Sequence, residues 1–112
     1  MKICDYRLNG INQNEISTEI KFILASARFD GAELLRFVYE TNETDREARR
    51  LHNIVIRVLR SLRARKSIQF FVFPEDFTEE TTEAAFLLNK YPDHFSAPPS
   101  VKDNEGEFYV KI

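Results

Sequence analysis

Ile3-Cys4-Asp5-Tyr6-Arg7-Leu8, then Asn9-Gly10, then Ile11-Asn12-Gln13-Asn14-Glu15-Ile16 is the stretch that decides the fold. In an extended chain Cys4, Tyr6 and Leu8 share one pleat face and Asp5 and Arg7 the other, so residues 3–8 read as a strand that ends at the Asn9-Gly10 turn. A helix start follows at once. Asn12 is a good N-cap, Glu15 stands three residues on as its capping-box partner, and Ile11 and Ile16 are placed as a hydrophobic staple. Behind the cap, Ile16, Ile20, Ile23, Leu24 and Ala27 recur at helical spacing, predicting an amphipathic helix over Asn12–Phe29 that Asp30-Gly31 closes. A strand running straight into a capped helix is the opening of a β-α-β unit.

The chain repeats the pattern. Leu34–Tyr39 is a second strand, Glu40–Glu43 a polar turn, and Thr44 with Glu47 a second capping box. The helix it opens reaches Arg65, with Leu51, Ile54, Val55, Val58, Leu59 and Leu62 along one face. Ile68–Phe73 is apolar on both pleat faces, which predicts a third, central strand, stopped by Pro74. A short third helix, Thr78–Lys90, precedes a polar loop over 93–106, and Phe108–Ile112 alternates as a last strand.

The order predicts parallel pairing of the first three strands through right-handed crossovers. The fold class is α+β: a two-layer sandwich of β-α-β-α-β-(α)-β order. It has a mixed four-stranded sheet with two main helices on one face and the short helix at an edge or on the open face. One core is expected from Ile16, Ile20, Ile23, Leu24, Val55, Val58, Leu59, Leu62, Phe70 and Val72.

A chain of 112 residues, 43% apolar and 30% charged, is one domain able to bury a core without staples. The lone Cys4 excludes an internal disulfide, and with no apolar N-terminal run or spanning stretch the expected location is cytoplasmic, away from membranes. The net charge of −2 hides an asymmetry: residues 1–74 hold 13 Lys/Arg against 9 Asp/Glu, and residues 75–112 hold 3 against 9.

Most chemistry is absent from the sequence. His52 and His94 lie on different elements without a second ligand at metal spacing, so no metal and no cofactor is expected. Cys4 reads as a small core residue, and Asp5 with Arg7 as a structural ion pair. The acids Glu75, Asp76, Glu79, Glu80 and Glu83 suit helix N-termini without a cation. Gly10, Gly31 and Gly106 are too far apart for a phosphate-cradling loop.

One feature rises above this background. On the second helix Arg46, Arg49, Arg50, Arg57 and Arg60 fall within about 100° of arc, opposite the apolar stripe, and Arg63, Arg65 and Lys66 extend the charge. Guanidinium groups in a solvent-facing row are what phosphate binding requires. The same row is also consistent with a solvated helix face, since Arg favours helices. The Phe residues fall in core patterns, so no stacking platform is expected beside it.

In element order and in its first turn, Tyr6-Arg7-Leu8-Asn9-Gly10-Ile11 ahead of the Asn12/Glu15 cap, the chain resembles the Smr domain. Gly106-Glu107-Phe108-Tyr109-Val110-Lys111-Ile112 is similar in shape to that family's last strand, and residues 75–103 then read as an acidic insertion in a single Smr-like domain. The resemblance implies a β-α-β-α-β-β fold and work on nucleic acids. The family's motif Asp and His are replaced by Arg7 and Asn9, and its second motif, His-Gly-x-Gly, by Tyr39, Glu40, Thr41 and Asn42. Arginine is no base and asparagine exchanges no proton near neutral pH, so the hydrolytic chemistry is not carried over.

The expectation is therefore a non-catalytic domain that binds nucleic acid, RNA sooner than DNA, through the Arg row. Two alternatives stand beside it. One is a protein-interaction or oligomerisation module whose Phe-rich strand and acidic segment form the surface. The other is a divergent nuclease built on the motif-equivalent turns Arg7, Asn9, Gly10, Tyr39, Glu40 and Asn42.

Overall fold

The computed structural model describes residues 3–8, 12–40, 45–95 and 105–112, the side chains of 40, 45–48, 78 and 105 excepted. The elements are β1 (Ile3–Leu8), α1 (Gln13–Phe29), β2 (Leu34–Glu40), α2 (Asp45–Ala64), β3 (Phe70–Val72), α3 (Pro74–Thr78), α4 (Thr82–Lys90) and β4 (Glu105–Lys111).

Local chemistry sets the helix ends. The Asn12 side chain accepts from the Glu15 N–H at 3.0 Å, as the cap predicts; Ile11 and Thr44, the expected staple and second cap, lie outside the described residues. α1 closes at Gly31, whose φ of 77° only glycine adopts cheaply, with Ala32 N–H donating to Ala27 O. α2 closes in the same way on Lys66, at φ 60°, with Ser67 N–H donating to Leu62 O. Pro74 stops β3 by opening α3, where Asp76 Oδ2 accepts from the Phe73 N–H at 2.8 Å.

The sheet is mixed and four-stranded, in the order β1-β2-β4-β3. β1 pairs parallel with β2, Leu8 lying beside Tyr39, and β4 runs antiparallel to both of its neighbours. This corrects the expected pairing of the first three strands. β3 runs parallel to β2, but β4 lies between them. β3 is an edge strand of three residues and not a central one. Its all-apolar sequence has another cause: the sheet is covered on both faces at that edge.

There are consequently two cores. α1 and α2 cover one face, where Ile16, Ile20, Leu24, Val55, Val58, Leu59 and Leu62 pack on Leu35, Phe37, Phe108 and Val110, with Ile23 half-buried at the margin. The other face carries the second core, in which Leu34, Phe70, Val72 and Tyr109 meet Ala84, Leu87 and Tyr91 of the α4 region and Phe95 beyond it. Phe70 and Val72, expected in the first core, belong to the second because alternate residues of a strand point to opposite faces. The expected helix Thr78–Lys90 begins only at Thr82, as α4; the separate short α3 precedes it and ends at Thr78, Glu80 between them turns left-handed at φ 56°, and α4 takes the open face.

Candidate nucleic-acid interface

α2 buries Val55, Val58, Leu59 and Leu62 and sends Arg49, Arg50, Arg57 and Arg60 to solvent on the opposite arc. Arg46 belongs to the same arc, but its side chain lies outside the described residues. Arg57 Nη1 donates to Gln13 Oε1 of α1 at 3.3 Å, which ties the row to the neighbouring helix. Arg63 stands on the other flank and pairs with Glu83 of α4 at 3.2 Å, while His52 lies 3.7 Å from Glu75 with its ring edge-on to Phe73 at 4.7 Å. Both contacts tie α2 to the helices of the opposite face around the short β3 edge. Glu83 and Glu75 thus meet α2 on the flank that carries Arg63 and His52.

The neighbouring helix departs from the sequence reading. Phe22 and Phe29 of α1, seven residues apart, are 73% and 92% exposed, which makes them the most exposed large apolar side chains among the described residues. At 100° per residue they fall about 20° from each other and roughly opposite the buried stripe Ile16, Ile20, Leu24 and Ala27. The outer surface of the helical layer thus presents two aromatic rings on α1 and a guanidinium row on α2. The expectation that no aromatic platform accompanies the row is corrected. The signal was legible: Phe22 and Phe29 fall outside the apolar stripe of their own helix.

The side chains of the Phe-rich strand are largely packed inside the domain. Phe70, Phe73 and Val72 are buried, Phe71 packs against the first core, and Phe77 stacks on Phe95 at 5.2 Å in the second.

The strand ends that lead into the motif-equivalent turns meet at one end of the sheet, where Leu8 pairs with Tyr39 and Tyr39 with Gly106. Arg7 is exposed there; Asn9, Gly10, Asn42 and the Glu40 side chain lie outside the described residues. Tyr39 belongs to the first core, its ring centroid 6.1 Å from that of Phe108, and burial, with Glu75 adding, pushes its phenol up to about 12. Gly106 is obligatory against it, since a Cβ there would overlap the Tyr39 ring, 2.7 Å from the hydroxyl oxygen. Tyr39 is therefore a packing residue.

A polar group on the second sheet face carried no sequence signal. Arg36 of β2 reaches Glu107 of β4, Nε to Oε2 at 2.8 Å and Nη2 to Oε2 at 2.6 Å, and Glu107 is buried. Burial opposes the charge of Arg36, but the hydrogen bond and attraction from Glu107 hold its pKa above the ordinary arginine value. Tyr109 beside them is pushed up to about 12 by burial, with Glu107 adding and Arg36 opposing, and its hydroxyl lies 3.5 Å from His94 Nε2. Among the described residues no group of three or more His, Cys, Asp or Glu could hold a metal ion, and no helix is long and apolar enough to cross a membrane.

Compared with known proteins, the chain matches no family model, no curated protein and no solved structure.

Proposed function

We propose that this domain binds single-stranded nucleic acid, RNA ahead of DNA, on the outer surface of α1 and α2, and that it does so without cleaving it, as a degenerate Smr-like module. The observation that carries the reading is the exposure of Arg49, Arg50, Arg57 and Arg60 on one arc of α2, beside a helix whose Phe22 and Phe29 stand in solvent. Arginines in a row meet successive phosphates, and exposed rings receive unstacked bases of any sequence. Unpaired bases are the usual target of such rings in RNA, which favours RNA over DNA and a single strand over a duplex. The acidic balance of the whole chain, −2, keeps the affinity modest.

Titration of a labelled single-stranded RNA by fluorescence anisotropy tests this. Binding is expected at tens of micromolar protein in about 50 mM salt, with a log–log salt slope of roughly −2 to −3 for three or four phosphates. Arg49→Glu/Arg57→Glu/Arg60→Glu should abolish it with the fold intact, and Phe22→Ser/Phe29→Ser should weaken it without changing the salt slope. Absence of any RNA or DNA complex under those conditions would leave the row as a solvated helix face and sink the reading.

A further inference from the structure

We infer that β1 pairs with β1 of a second copy of this chain, antiparallel about Tyr6, so that two domains share one continuous eight-stranded sheet. This stands apart from the RNA reading. β1 is the terminal strand of the order β1-β2-β4-β3, and among the described residues no strand lies on its outer side. Such an edge carries a row of backbone donors and acceptors directed outward, a ready template for another strand.

The side chains say which strand fits. When an antiparallel partner of identical sequence is centred on Tyr6, Asp5 stands directly opposite Arg7 of the other copy, and Arg7 opposite its Asp5. Both residues are exposed and share one pleat face, so two cross-strand ion pairs form, related by the two-fold axis. On the other pleat face Tyr6 meets Tyr6, and Cys4 meets Leu8. A register moved by two residues in either direction loses the complementarity: a pairing centred on Asp5 sets Asp5 against itself, and one centred on Arg7 sets Arg7 against itself.

The apolar margin agrees. Cys4, Tyr6 and Ile23 are only half-buried, and all three pack at the edge of the first core. On α1, Gln13 faces α2, so Ile23, about 80° away across the buried stripe, lies on the flank toward β1 and the sheet edge. An antiparallel strand pair keeps the same sheet face on the same side in both copies. The two α1 helices therefore run antiparallel beside the axis and cover the half-buried residues of both chains. An edge whose opposite charges complement its own sequence in one register fits a second copy better than a strand without that pattern.

Sedimentation equilibrium of the full chain at about 100 µM decides the matter. The expected mass is twice the 13.2 kDa of the chain. Asp5→Arg and Arg7→Asp each place like charges opposite one another twice, so each alone should sediment as a monomer with an unchanged circular dichroism spectrum. Asp5→Arg/Arg7→Asp restores both pairs and should restore the dimer, and an equimolar mixture of the two single variants should form a mixed dimer. A monomeric wild-type chain at that concentration overturns the proposal. So does a dimer indifferent to both single variants, which, if abolished by Phe22→Ser/Phe29→Ser, would place the contact on α1 instead.

Discussion

Arg36 of β2 and Glu107 of β4 meet diagonally across neighbouring strands, Arg36 lying opposite Tyr109 in the register, and their two contacts, at 2.8 and 2.6 Å, fall on the same carboxylate oxygen, Oε2. The other oxygen, Oε1, is buried without a hydrogen-bond partner among the described residues, so the pair is held by one oxygen of a carboxylate that is almost wholly covered, while Arg36 keeps a quarter of its side chain in solvent. Desolvation then weighs heavily against attraction. Glu107→Ala, which leaves the mostly covered Arg36 charge alone, should destabilise the protein by about 2–4 kcal/mol. Arg36→Met/Glu107→Met should stay within about 1 kcal/mol of the parent, because the desolvation cost disappears with the pair. Urea denaturation of both variants checks this; equal losses in the two would show that the pair contributes net stability.

The two cores predict two separate sensitivities. Leu59 is fully buried between α2 and the sheet, and Leu87 fully buried between α4 and the opposite face. Leu59→Ala and Leu87→Ala should each cost roughly 2–5 kcal/mol, and since the sheet separates the sites, the double variant should lose about their sum. A loss below about half a kilocalorie for Leu59→Ala would show the α2 register to be wrong.

Alkaline pH should unfold the domain. Tyr39 and Tyr109 are both pushed up to about 12, mainly by burial, from the ordinary value near 10. Tyr6 and Tyr91 are raised as well, burial again the first cause. The unfolded chain releases these protons near pH 10 while the folded one keeps them to higher pH, so stability is full below about 10 and falls as pH rises toward 12. Absorbance titration at the phenolate band should show Tyr39 and Tyr109 still protonated at the ordinary tyrosine midpoint and ionising late, together with unfolding. Four tyrosines titrating normally in the folded state would contradict the packing.

No cleavage of single- or double-stranded RNA or DNA is expected with Mg²⁺ or Mn²⁺. The exposed Arg7 at the end of β1 can neither accept a proton nor hold a cation, and Tyr39 is committed to the core. Cleavage by the purified chain that disappears in Asn9→Ala would overturn this.

The sequence by itself determined most of the local elements, the break between α3 and α4 excepted. Asn12 with Glu15, Asp30-Gly31 and Pro74 mark boundaries because capping, left-handed turns and the missing proline N–H are short-range effects, settled by a few neighbouring residues. The inward and outward faces of α2 were equally legible, since periodicity is a local property, and so was the exposed Arg row. Strand order was not. An apolar run such as Phe70–Phe73 reports burial on both faces, which a central strand and a doubly covered edge strand satisfy alike. Only the tertiary structure decided that β4 lies between β2 and β3, that α4 builds a second core, and that Arg36 meets Glu107. Those pairings join residues far apart in the chain, Leu34 with Lys111 and Arg36 with Glu107 among them, and their free energy depends on how whole elements pack, which no local spacing encodes.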